Sequence, residues 1–160
     1  MKKEKSMYFI DVEASSLSND SYPIALALID AFSSTTYKAI IKPMGNWSDW
    51  SIESERVHGI HREMLFRKGE RALTVALNLN RILKQETVYC DSPYDMYWIK
   101  KLFDDNNVKM EFLVEQVQSL MGDSVDEFEY DIMNIEYSHD PLEDVQTLAT
   151  IALPYLVSKE

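Results

Sequence analysis

The chain has one cysteine, Cys90, in 160 residues, which excludes an intramolecular disulfide framework and any zinc site built from several thiolates. Glycine and proline are sparse, at four and five. No internal repeat and no stretch rich in Pro, Gly or Ser marks a linker, so a single domain spanning 1-160 is the expectation. Apolar runs are short: Ile24 to Ile29 falls far below the roughly 18 residues that suggest a membrane span. Met1-Lys2-Lys3-Glu4-Lys5 leads straight into a strand-like segment without the apolar stretch and cleavage site of a signal peptide, so a cytoplasmic location is expected. Bases are scarce as well. Sixteen Lys and Arg face 27 Asp and Glu, a net charge of −11. A general DNA coat or repressor needs a broad basic surface, because its affinity comes largely from counterion release, and this chain lacks one.

What is present is material for one ordinary core, 46% apolar with 11% aromatic residues, and a concentrated negative charge. Thirteen of the acids and one base, Lys109, fall between Asp104 and Asp144, leaving the rest of the chain close to neutral. A cationic partner, a site whose metal brings its own positive charge, or a small substrate fits that balance.

Met7 to Glu13 is apolar on both alternating faces until two acids close it, the pattern of a buried central strand. Ile24 to Ile29 and Thr35 to Ile41, joined by a Ser-rich turn, read as a hairpin. An irregular segment with Trp47 and Trp50 precedes a short helical patch ending near Gly69. From Ala72 to about Gln85, Ala72, Val75, Ala76, Leu79, Ile82 and Leu83 keep the stripe of a helix packed on a sheet. Thr87 to Asp91 is a short strand, and Ser92-Pro93 opens a helix through Phe103. Lys109 to Leu113 reads as a last strand, and Val114 to Met121 and Asp123 to Asn134 as helical. Asp140-Pro141-Leu142-Glu143 is a capped start for a final helix to about Val157. The sum is an α/β fold with a mixed five-stranded sheet, three strands antiparallel and the rest parallel additions, flanked by helices.

Several carboxylates are placed to converge. Asp11 and Glu13 leave the same face of the first strand, roughly 7 Å apart, and like charges at the edge of a core are costly without a cation. With Asp140 as N-cap, His139 and Asp144 fill the two positions that form a hydrophobic staple in ordinary helices, and Asp144 borders the apolar stripe of Val145 and Leu148. Asp91 suits an N-cap or the edge of a site, whereas Asp95, beside core-like Met96 and Ile99, is the better ligand candidate.

In this order, Asp11-x-Glu13, Asp95 and His139-x4-Asp144 resemble the DEDDh (DnaQ-like) family of 3′–5′ exonucleases in the ribonuclease-H-like superfamily. Ser21-Tyr22-Pro23-Ile24, Val57-His58-Gly59-Ile60 and Val88 to Met96 resemble further segments of that family, so the likeness covers nearly the whole chain. Three features depart from it: Asp91 stands where Asn is usual, Tyr94 where Phe is common, and the Trp47 to Trp50 insertion is atypical. The resemblance implies a ribonuclease-H-like fold in which Asp11, Glu13, Asp95 and Asp144 hold two divalent ions about 3.5–4 Å apart. Oxygen ligands imply Mg²⁺ or Mn²⁺. His139 would be the general base that frees a 5′-mononucleotide from the 3′ end of single-stranded RNA or DNA or a short oligonucleotide. His58, Trp47, Trp50 and Asp91 are the candidate substrate contacts, Trp47 and Trp50 by stacking on a base. Arg62, Arg67, Lys68 and Arg71 are candidates to meet phosphates, though Glu63 and Glu70 interleave with them. No membrane partner is expected, and a homodimer is left open, as are a nuclease subunit of a larger complex and a catalytically silent interaction module.

Overall fold

The computed structural model describes residues 3–157; Met1 and Lys2 of the basic start, and the three C-terminal residues, lie outside that range. Its centre is β1 (Tyr8–Ala14), flanked by β2 (Pro23–Asp30), which runs antiparallel to it, and β5 (Thr87–Cys90), which runs parallel. β3 (Thr36–Lys42) pairs antiparallel with β2, and β6 (Leu113–Gln116) parallel with β5. A sixth strand, β4 (Glu70–Arg71), adds two residues parallel to β3, so the mixed sheet has one strand more than the sequence suggests, in the order β4-β3-β2-β1-β5-β6.

Because successive strand side chains point to opposite faces, β1 feeds two cores. Ile10, Val12 and Ala14 join α3 (Ala72–Leu83) and α4 (Pro93–Asp105) through Leu79, Trp98 and Leu102. Phe9 faces the other way, onto α5 (Val125–Met133) and α6 (Pro141–Val157), where it meets Phe128, Val145 and Leu148. Phe9 and Ile10 are fully buried, each worth about 1.5–3 kcal/mol in water-excluded area. That double burial fixes the register, since a one-residue slip would exchange the two faces.

The helical patch before Gly69 is two helices, α1 (Ile52–His58) and α2 (Arg62–Lys68). Gly59, at φ 70°, ends the first in the left-handed conformation that costs glycine least. The last strand lies further along than Lys109 to Leu113 because the buried Asn80 side chain takes the backbone there. It donates to the Lys109 carbonyl at 2.8 Å and accepts the Glu111 N–H at 2.9 Å, so laddering starts only at Leu113. Val117–Leu120 then forms a 3₁₀ turn rather than an α-helix.

Trp47 is not available to stack on a base. It is 2% exposed, lies flat on the Tyr22 ring at 5.3 Å, and donates its indole N–H to Asp105 at 2.7 Å. Its carbonyl accepts from Arg62, whose guanidinium also bonds the Tyr22 hydroxyl and covers Phe66. The insertion is thus a packed plug, and Arg62 is committed to holding it.

Where α2 meets β3, a Cβ on Gly69 would stand 2.3 Å from the Leu65 carbonyl oxygen and 2.5 Å from the Lys42 nitrogen. Both are backbone atoms and cannot swing aside. Gly69→Ala is expected to lower unfolding stability by about 1–3 kcal/mol, read as a shift in the urea midpoint at unchanged slope.

Candidate metal centre

β1 loses its pairing register with β2 between Glu13 and Ala14, the kind of irregularity that turns side chains at a sheet end. Asp11 and Glu13 lie on the Phe9 side of β1. Two helices start here. Ser92 caps α4 by accepting the Tyr94 N–H, which puts Asp95 in the first turn. Asp140 caps α6 by accepting the Glu143 N–H at 3.1 Å, which puts Asp144 at its fourth position. The positive ends of both helix dipoles therefore face the carboxylates of β1.

The side chains converge as two groups. Ligand-capable atoms of Glu13, His139 and Asp144 lie within 4.8 Å of one another, and so do those of Asp11, Asp91 and Asp95. All six residues line one cavity of about 190 Å³, whose lining contains no Lys or Arg. Asp95 and Asp144 are 3% and 4% exposed. Asp144 accepts the Ser138 N–H at 2.9 Å and the Ser138 hydroxyl at 3.1 Å on a single oxygen. His139 reaches the cavity because its backbone is left-handed, φ 64°, a conformation that costs a non-glycine residue energy and clusters at functional sites.

Burial, and then the neighbouring charges of Asp95, Glu13, Asp91 and Asp144, push the Asp11 carboxyl well above the usual range. Burial and the charge of Asp91 do the same to Asp95, which also shares a hydrogen bond with Asp91. Glu13 is pushed up to about 8, by burial and then by Asp144, and burial raises Asp144 despite its Ser138 bonds. Asp11 Oδ2 is sealed from water with no hydrogen-bond partner among the described residues. Such an atom is costly to leave bare, and a hard divalent cation seeks an oxygen donor set of this kind. The residues present fit Mg²⁺ or Mn²⁺.

Asp91 is not an N-cap, since Ser92 fills that role. Its carboxylate accepts from the Tyr137 hydroxyl at 2.9 Å. Tyr137 escaped notice in the sequence, where only its place two residues before His139 hints at it. Leu17 was missed too. It is 66% exposed, yet it lines the carboxylate cavity and two neighbours, of about 400 and 230 Å³. Its loop is anchored behind it by Asp49, which accepts from Ser15, Ser16 and Ser18 at 2.6–3.1 Å. His58 lines the larger neighbour with His139, Trp98 and Val57. The Ile60 N–H donates to its Nδ1 at 3.0 Å, and its buried Nε2 has no partner among the described residues. Trp50 packs edge-on against His58 at 5.8 Å and bonds Glu55, so it braces that ring and lines none of these three cavities.

No protein-family model matches the chain, and no curated protein matches it significantly. Solved structures do. The zinc-bound complex of Escherichia coli exonuclease I with single-stranded DNA superposes with a TM-score of 0.74 at 17% identity, over 98% of this chain and 41% of that one. The same enzyme with a dA16 oligonucleotide gives 0.73 at 17% identity, over 98% and 41%. Exonuclease I from Methylocaldum szegediense gives 0.74 at 16%, over 97% and 40%. The chain spans about two fifths of the length of these proteins. The likeness establishes the fold, ribonuclease-H-like.

A carboxyl raised by folding keeps its proton in the folded state at pH values where the unfolded chain has lost it, so stability falls as pH rises through that window. For Glu13 the window runs from about 4.5 to about 8, and Asp11, Asp95 and Asp144 act in the same direction. The melting temperature of the EDTA-treated protein is expected to drop between pH 5 and pH 8. Mn²⁺ should restore more of it at pH 8 than at pH 5, because it competes with protons for the same oxygens. A flat melting profile across that range would contradict the crowding.

Proposed function

We propose that the chain is a metal-dependent 3′–5′ exonuclease domain that hydrolyses the terminal phosphodiester of single-stranded DNA or RNA and releases 5′-mononucleotides. One observation carries the reading. Asp11, Glu13, Asp95 and Asp144, from three distant segments, share a cavity with His139 and no Lys or Arg among its lining residues. The likeness to enzymes solved with single-stranded DNA supports the substrate class.

The four acids would hold two divalent ions, which supply charge stabilisation at phosphorus and at the leaving 3′ oxygen. The protein's own groups do the rest. His139, partly exposed between Glu13 and Asp144, takes the proton of the attacking water as general base. Ser138 occupies one oxygen of Asp144 and so orients the carboxylate, leaving the other oxygen for a ligand. With Nδ1 of His58 accepting from Ile60, its neutral ring carries the proton on Nε2, a buried donor at the wall of the larger neighbouring cavity. Leu17, Val57 and Trp98 form an apolar wall against which a terminal base lies. Such a wall near the acids favours a strand end, because a continuing strand would bring further phosphates toward uncompensated carboxylates.

Asp11→Ala is expected to abolish Mn²⁺-dependent release of mononucleotides from a 5′-labelled single-stranded oligonucleotide. His139→Ala should lower kcat by about 10²–10⁴-fold with metal affinity nearly intact. A double variant, Asp11→Ala with Asp144→Ala, that kept full activity would sink the assignment. Contacts should be limited to the end of the strand. With Ca²⁺ as a non-catalysing ion, affinity should gain little beyond the first few nucleotides, and its salt dependence should correspond to about two to four phosphates.

A further inference from the structure

We propose that Asp91 is a fifth carboxylate ligand of this centre, closing a cation subsite with Asp11 and Asp95, and that the Tyr137 hydroxyl is the positioning group that holds it there. The proposal rests on the metal-centre reading above and goes beyond its four acids.

Three observations carry it. Oxygen atoms of Asp11, Asp91 and Asp95 lie within 4.8 Å of one another. Two oxygens across one cation at about 2.0–2.6 Å are about 4–5 Å apart, so oxygens at this spacing are close enough for one ion to draw in as ligands. The Asp91 carboxylate also does not cap the helix that follows it, and its partners are the Tyr137 hydroxyl and the Asp95 side chain at the cavity itself. Capping of α4 falls to Ser92, and only the backbone carbonyl of Asp91 ties the following segment, by accepting from Gln118 at 3.0 Å. Finally, Asp11 lines the same cavity as Asp91 and Asp95, and its Oδ2 is sealed from solvent and unpartnered among the described residues, an acceptor that a bound cation would satisfy.

Tyr137 supplies the orientation. Its O–H reaches Asp91 Oδ2 at 2.9 Å from the segment that also delivers Ser138, His139 and Asp144. One stretch of chain therefore sets both groups of ligands: Asp144 and His139 directly, Asp91 through a hydroxyl. A hydrogen bond of this kind to a ligating carboxylate fixes its rotamer, and its loss typically costs 10–100-fold in metal affinity.

Calorimetric titration of the full chain with Mn²⁺ tests this, with Ca²⁺ run in parallel and melting temperatures measured in EDTA. Asp91→Asn keeps the shape and removes the charge, and is expected to weaken Mn²⁺ binding at least tenfold. Tyr137→Phe should weaken it by about tenfold without lowering the melting temperature in EDTA, which separates positioning from a structural role. Asp126→Asn, on the exposed face of α5, controls for general loss of negative charge and should bind as the unaltered protein does. Wild-type affinity in both Asp91→Asn and Tyr137→Phe, with binding lost in Asp11→Asn, would overturn this proposal and leave the metal centre standing. Unchanged affinity in Asp11→Asn as well would overturn the centre itself. Should Asp91→Asn fail to fold, Tyr137→Phe decides alone, since it removes one oxygen from the rim of the cavity and no carboxylate.

Discussion

Five carboxylates crowded at the end of one buried strand are the constraint around which this molecule is arranged. β1 carries Asp11 and Glu13 to the point where the sheet surfaces, and Asp91, Asp95 and Asp144 are brought up to them from the residue after β5, from α4 and from α6. Left to themselves these groups repel, and burial adds to the cost, which is why Asp11, Glu13, Asp95 and Asp144 all hold their protons more tightly than free carboxyls do. The rest of the fold supplies what partial relief a protein without a nearby base can offer. Two helix N-termini point at the cluster, Ser138 and Tyr137 donate hydrogen bonds, and the apolar sides of β1 are sealed so thoroughly that the strand cannot slide to relax the crowding.

The negative charge and the shortage of bases are two faces of one arrangement. A site that recruits its positive charge as metal ions needs no Lys or Arg within it, and Arg62, which reaches the insertion, works as a structural clamp on Tyr22 and Trp47. That clamp matters for the site at one remove. The insertion it holds carries Asp49, and Asp49 ties down the three serines of the loop on which Leu17 stands. A segment that lies outside the cavities thus determines where the apolar edge of the cavities lies. In the same way Trp50 touches no cavity and instead braces His58.

His139 shows how backbone geometry and chemistry are joined. Its left-handed φ places the imidazole beside Glu13 and Asp144, and the cost of that conformation is offset by a capped helix start on one side and by the Ser138 bonds to Asp144 on the other. Hydrogen bonds link the residues from Tyr137 to Asp144 to one another and to Asp91, so the imidazole and the carboxylates are held by one stretch of chain.

Much of this was legible in the sequence, for a physical reason: periodicity and capping are local. The alternation of β1, the stripe of α3 and the Asp140-Pro141 start of α6 each follow from a few neighbouring residues, and the family resemblance rested on motifs of the same short reach. Asp11 and Glu13 share a face because a strand has a period of two, and Asp144 sits at its helix position because Asp140 caps. What local pattern does not contain is which distant groups meet. Whether Trp47 is exposed depends on Tyr22, Arg62 and Asp105, from three other segments. Where β6 begins depends on Asn80, some thirty residues earlier. Whether Asp91 is a cap or the edge of a site depends on Ser92, which fills the cap, and on Tyr137, 46 residues on, whose hydroxyl bonds its carboxylate. The sequence by itself determined the elements and the chemical character of the site. Only the packing of those elements decided which carboxylates, hydroxyls and rings stand close enough to act on one another, because contact energies fall off within a few ångströms and the chain order says nothing about such distances.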